Sequence, residues 1–123
     1  MGDVGDQDQA PSEVIPLAEA VTRLHGPGAP KFAELFAHGT LSVEIYTPRD
    51  IDTQQPHDRD EVYVVIAGRG DFVHAGQRSS IGPGDCLFVA AGIEHRFENF
   101  SPDLALWVFF YGPEGGEVTQ PPR

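Results

Sequence analysis

The stretch Gln55-Pro56-His57-Asp58-Arg59-Asp60-Glu61-Val62-Tyr63-Val64-Val65-Ile66-Ala67-Gly68 sets an imidazole four positions before a carboxylate, then runs through β-branched and aromatic residues to a glycine. A strand advances about 3.3 Å per residue, so on a straight strand His57 and Glu61 would stand about 13 Å apart, too far to share an ion at bond lengths of about 2.1 Å. The polar Asp58-Arg59-Asp60 therefore predicts a hairpin, with His57 ending one strand and Glu61 opening its neighbour. Alternation puts Gln55 on the side of His57, and Tyr63 and Val65 on the side of Glu61.

Working outward, short β-prone runs recur at Leu41–Tyr46, Glu61–Ile66, Asp71–His74, Cys86–Val89, Arg96–Phe100 and Leu104–Tyr111, separated by turn clusters such as Ala67-Gly68-Arg69-Gly70, Ala75-Gly76-Gln77 and Gly82-Pro83-Gly84-Asp85. This pattern predicts an all-β sandwich or closed barrel. Pro16–Leu24 reads as a short helix, with Pro16 suited to its first turn and Gly26 beyond its end. Val62–Ile66 and Leu104–Tyr111 are nearly continuous apolar runs, so both faces of those strands should be covered, the outer one by the N-terminal segment or by a second subunit. A homodimer is expected on that ground. The segment Met1 to Ser12 is rich in Asp, Gln and Gly with few apolar residues to bury, and Gly112 to Arg123 is rich in glycine and proline. Residues 1–12 and 113–123 are thus expected to be disordered tails around one domain spanning 13–112.

A second ligand group lies later in the chain. His95 follows the Ala90-Ala91-Gly92 turn and opens the Arg96–Phe100 run, with Phe97 and Asn99 on its face. Two imidazoles from His57 and His95, the carboxylate of Glu61 and an amide oxygen from Gln55 make a mixed nitrogen and oxygen set suited to a divalent first-row metal, with positions left for water or substrate.

The spacing of these residues resembles the two-motif signature of the cupin family. His57, three residues, Glu61, six residues and Gly68 match the later part of the first motif; Gly84, five residues, Ala90-Ala91-Gly92, two residues, His95, three residues and Asn99 match the second, with Ala90 in place of its proline. Arg49 stands where the first motif opens on glycine, and Gln55 where it has its first histidine. The resemblance covers roughly Leu41 to Tyr111. It implies a double-stranded β-helix, a jelly-roll-like barrel, with a short N-terminal helix, and a metal held by Gln55, His57, Glu61 and His95. Without Gln55 the set is the two-histidine, one-carboxylate arrangement of non-haem iron enzymes. With it, the set is similar to that of the zinc-dependent type I phosphomannose isomerases, whose ligand spacing is longer. Iron or zinc are the expected ions, with manganese or nickel compatible.

Several residues have plainer readings. His25 is placed at a helix end, where it would meet the terminal carbonyls. His74 reads as solvated, and His38 borders the first predicted strand. Cys86 reads as a small core residue, the aromatic residues Tyr63, Phe97, Trp107, Phe109 and Tyr111 mainly as core, Gly68-Arg69-Gly70 as a hairpin turn, and Asp58 with Asp60 as a solvated turn.

Composition narrows the function. Eight basic against 19 acidic residues give a formal net charge of -11, which opposes binding to nucleic acid or anionic lipid. One cysteine permits neither an intramolecular disulfide nor a cysteine-based zinc site. The N-terminus lacks the basic start and apolar stretch of a secretory signal, and no apolar run approaches the roughly 18 residues that span a bilayer, so a cytoplasmic protein without membrane partners is expected. The expected function is a metal-dependent enzyme, of dioxygenase, isomerase or lyase type, acting on a small organic substrate, with Tyr63 as proton donor on the wall of the site. The alternative is a metal-containing module that binds or senses a small molecule without turnover.

Overall fold

The computed structural model describes residues 14–118 with the exception of residue 53. The expected disordered segment 1–12 lies outside the described residues, as does the end of the C-terminal one. A short helix, α1 (Leu17–Thr22), precedes eight strands: β1 (Phe32–His38), β2 (Leu41–Tyr46), β3 (Asp60–Ala67), β4 (Gly70–His74), β5 (Gln77–Ile81), β6 (Cys86–Val89), β7 (His95–Glu98) and β8 (Ala105–Tyr111). They form two antiparallel sheets, one of order β1-β2-β8-β3-β6 and one of order β5-β4-β7. The fold is the all-β jelly-roll barrel that the sequence predicts.

The core lies between the sheets. Alternation along β3 turns Tyr63 and Val65 inward, where they join Tyr46, Leu106 and Val108 of the large sheet and Phe72 and Phe97 of the small one. The Tyr63 ring meets Phe97 edge-on at 5.2 Å between centroids, an arrangement that aromatic quadrupoles favour. Gly68 makes the chain cross between sheets after β3. Its φ is +82°, and a Cβ there would stand 2.6 Å from the Leu104 backbone, so no other residue fits without displacement. Gly68-Arg69 is accordingly a passage from one sheet to the other and not the predicted hairpin turn.

The outer face of the large sheet explains the continuous apolar runs. Ala20 and Leu24, on and just after α1, bury against Ile45, with Ile66 and Trp107 packed on them. The N-terminal segment therefore covers part of that face. Arg49 ties it down by donating to the carbonyls of Leu24 and Ala29, the role at the helix end expected of His25. Two strands were not legible in the sequence. β5 is an edge strand whose residues Gln77–Ser80 are all exposed, so no apolar alternation marks it. β1 is an edge strand of the large sheet and, among the described residues, pairs with β2 alone.

Cys86, expected in the core, is exposed. β6 is an edge of the large sheet, and its alternation turns Val89 inward and leaves Cys86 and Phe88 outside. The C-terminal segment expected to be disordered from residue 113 is held at its start. The Gly115 N–H donates to the Asp58 carbonyl at 2.6 Å, and the Glu117 N–H to Asp60 Oδ2 at 2.9 Å. No helix among the described residues is long and apolar enough to cross a membrane.

Candidate metal centre

His57 does not end a strand. The chain from Thr47 to Arg59 carries no regular secondary structure where it is described, and β3 pairs with β6 and β8, so the predicted hairpin at Asp58-Arg59-Asp60 does not form. The segment is held instead by single hydrogen bonds. The Gly92 N–H donates to the His57 carbonyl at 2.6 Å, and Asp60, buried and not solvated as expected, accepts from the Ala91 N–H at 2.9 Å. These two bonds fasten the turn that carries His95 to the segment that carries His57 and to the start of β3.

Asp52 anchors the other end of the segment. Its carboxylate is buried and accepts from the Tyr46 hydroxyl at 2.7 Å, the Phe97 N–H at 2.7 Å, the Gln54 Nε2 at 2.8 Å and the Gln54 N–H at 3.3 Å. Phe97 lies on β7, an edge of the small sheet, so its N–H would otherwise have no strand partner. Asp52 thus joins β2, β7 and the segment in one network.

That network decides which glutamine reaches the site. With its Nε2 committed to Asp52, Gln54 points its Oε1 inward, 2.9 Å from the Tyr63 hydroxyl that donates to it and 3.4 Å from His57 Nε2. Gln55 is exposed, which corrects its expected place as a ligand. Two-residue alternation placed Gln55 beside His57, and it fails because this stretch is not a strand. Gln54→Ala is expected to weaken metal binding about 10-fold, as loss of a group that orients a ligand does, while Gln55→Ala leaves it unchanged. Metal titration of the two variants checks this.

The three remaining ligand candidates come together. Glu61 Oε1 lies 3.2 Å from His95 Nε2 and 3.6 Å from His57 Nε2, and one donor atom from each residue falls within 4.8 Å of the others. Metal bonds of about 2.1 Å require donor separations of about 3–3.5 Å, so the cluster can hold a divalent ion with little movement. His95 Nδ1 lies 2.9 Å from the Ile93 carbonyl, a partner that can only accept. The ring therefore carries a hydrogen on Nδ1 and, when neutral, turns the Nε2 lone pair toward Glu61. Two acceptors face each other there, and Glu61 Oε1 is buried without a hydrogen-bond partner among the described residues. A cation between them resolves the conflict; so does a proton. Burial lowers the His95 pKa, but the bonds to Glu61 and to the Ile93 carbonyl, with the charge of Glu61, outweigh it and hold the value above the ordinary one. Burial holds His57 below its ordinary value despite Glu61.

Tyr63 completes the inner wall. Its hydroxyl is 3.2 Å from His95 Nε2, and burial with the nearby Glu61 charge pushes its pKa up, so it keeps its proton. Asn99, expected on the same face as His95, is exposed, because β7 ends at Glu98 and Asn99 turns to φ +50°. It donates to Asp71 instead.

A cavity of about 600 Å³ opens beside the cluster, lined by Phe32, Glu44, Tyr46, His57, Glu61 and Phe110 among others. The Phe110 ring packs edge-on to His57 at 4.9 Å. Gln54, Glu44, Asp52 and Phe110 were not singled out from the sequence. Only Glu44 left a signal, as an acid amid the apolar residues of Leu41–Tyr46.

Comparison with known proteins agrees with this architecture. Residues 42–111 match the cupin domain family. Over 85 residues the chain is 38% identical to an uncharacterized protein of Streptomyces coelicolor, an overlap of 68% of this chain and 81% of that one. A cupin-2 domain containing protein from Shewanella frigidimarina superposes with a TM-score of 0.63 at 14% identity, covering 80% of this chain and 95% of the other. The DMSP lyase DddQ from Ruegeria pomeroyi superposes with a TM-score of 0.55 at 26% identity, over 71% of this chain and 43% of that one.

Proposed function

Since the chain belongs to the cupin domain family, we propose that it is a metal-dependent enzyme that acts by proton transfer, in the manner of a lyase or isomerase, on a small organic substrate bound in the barrel. The observation that carries this reading is the buried, unpartnered Glu61 Oε1 facing the Nε2 atoms of His57 and His95 at the end of a cavity. His57, Glu61 and His95 hold the ion, with iron or zinc best suited to two imidazoles and a carboxylate, and manganese or nickel compatible. When bound, the metal supplies Lewis acidity toward a carbonyl, enol or hydroxyl oxygen.

The chain's own residues do the rest. Tyr63 holds a proton at Oη beside the ligand atoms, and its bond to Gln54 Oε1 sets the direction of that hydroxyl. Phe110 and Val108 give the cavity an apolar wall that excludes water and orients the substrate. The likeness to a DMSP lyase supports lyase chemistry in a barrel of this form.

The test is elemental analysis of the full chain after reconstitution with each metal, followed by turnover assays over small hydroxy, keto and enol compounds, for wild type and His57→Ala. The expected result is about one ion per chain and a metal-dependent activity, both lost in the variant. Full metal occupancy with ligand binding but no turnover would make the protein a binding module. No metal uptake at all would end the metal reading.

A further inference from the structure

From the wall facing the metal cluster we infer that Glu44 selects the substrate: the pocket takes a small molecule with a metal-binding oxygen at one end and an ammonium or hydroxyl donor at the other, and rejects one with a second anionic group. The inference rests on the proposed function, because it presumes that the ligand is anchored at the metal. Glu44 sits on β2 opposite Val108, which in turn lies opposite Tyr63 on β3. It therefore shares the inner row of Tyr63 at a distance of two strands, about 10 Å between backbones, and its side chain lines the same cavity as Glu61.

The other polar groups on the inner face of β2 have protein partners. Ser42 donates to Glu34 and Tyr46 to Asp52. Glu44 has no hydrogen bond or ion pair to any described residue, although Glu34 stands directly across from it on β1. Like charges directly opposed in a sheet are destabilising. Burial, then the charges of Glu34 and Glu61, push the Glu44 carboxyl above its ordinary range, with Arg59 opposing. The fold thus keeps a carboxyl that bonds to no described residue and feels Arg59 only through space, and a ligand donor is the partner that its surroundings lack.

The charges nearby set the selectivity. Among the described residues lining the cavity, Lys31 is the one lysine or arginine, against the carboxylates of Glu44, Asp52 and Glu61, and its Nζ lies 3.5 Å from the Ile51 carbonyl. A metal offsets Glu61, and the hydrogen-bond donors around Asp52 satisfy that group. Glu44 is left to attract a donor and to repel an anion. A charge-assisted hydrogen bond in such a site changes affinity by about 10-fold or more.

Three hydroxamates that share the metal-binding head and differ at the far end provide the test: β-alanine hydroxamate (ammonium), butyrohydroxamate (methyl) and succinic monohydroxamate (carboxylate). Calorimetric titration of the metal-loaded full chain is expected to show the ammonium probe binding at least about 10-fold tighter than the methyl probe, with the carboxylate probe weakest. Glu44→Gln should bring the ammonium and methyl probes to within about 3-fold of each other with metal content unchanged. Equal binding of the three probes to wild type, or a preference that Glu44→Gln leaves intact, overturns the inference while the metal centre stands. Failure of all three to bind the metal-loaded chain overturns both.

Discussion

Glu61→Gln is expected to reverse the order of thermal stability between metal-free and metal-loaded protein. Glu61 is 1% exposed and its Oε1 has no hydrogen-bond partner among the described residues, so without metal the wild type carries a desolvated carboxylate beside the imidazoles of His57 and His95. An uncharged amide of the same shape removes that cost, and the metal-free variant should melt a few degrees above wild type. In excess metal the order inverts. A ligand present at 100 times its Kd adds about 2.7 kcal/mol to the wild type, which is about 10 °C for a domain of this size. The variant has lost the anionic donor, binds at least about 100-fold more weakly, and gains almost nothing. Melting curves with chelator and with each divalent metal give both halves of the result. A variant whose affinity stays within about threefold of wild type would remove Glu61 from the coordination sphere.

The metal response should also depend on pH in a determined sense. His95, its folded value raised by Glu61, carries a proton at the ligand atom in mild acid, and the metal must displace it. Metal affinity therefore falls as the pH drops through the raised His95 value.

Asp52→Ala, in contrast, is expected to destabilise the metal-free protein. The substitution leaves the Tyr46 hydroxyl and the Phe97 N–H without partners in the interior and releases Gln54. Hydrogen bonds to a charged group contribute about 1.5–3 kcal/mol each, and they do not add. A total of about 3 kcal/mol, or about 10 °C, is the expected cost. Metal affinity should fall as well, because the segment that carries Gln54 and His57 loses its anchor. Asp52→Asn keeps the shape but turns an amide donor toward one of the N–H or O–H groups, so it should fall between wild type and alanine. Denaturation of both variants, with metal titration alongside, checks the order. A change below about 1 kcal/mol in the alanine variant would show that the network does not hold the segment.

Much of the fold could be read from short-range pattern. β2 and β6 coincide with the runs at Leu41–Tyr46 and Cys86–Val89, and β3, β4, β7 and β8 with the others to within a residue or two. Those strands bury one or both faces, and burial leaves a hydrophobic signature. β5 has little to bury and left none. Within the candidate site, the inward facing of Glu61, Tyr63 and Val65 followed from regular alternation on β3 and held. Alternation does not place Gln55, because its segment lacks strand geometry and the direction of each side chain there is set by whichever distant group bonds it.

The sequence by itself determined the all-β barrel and pointed to His57, Glu61 and His95, which the fold brings into one cluster that could hold an ion, because periodic burial and the spacing of ligand residues are properties of the chain alone. Only the tertiary structure decided that Gln54 and not Gln55 turns to the centre, that Asp52 fixes it there, that Phe110 walls His57 and that Glu44 faces the cavity without a partner among the described residues. Each of these depends on contacts between residues far apart in the chain, on strand order and on which edge N–H is left open, and none of that is written in local spacing.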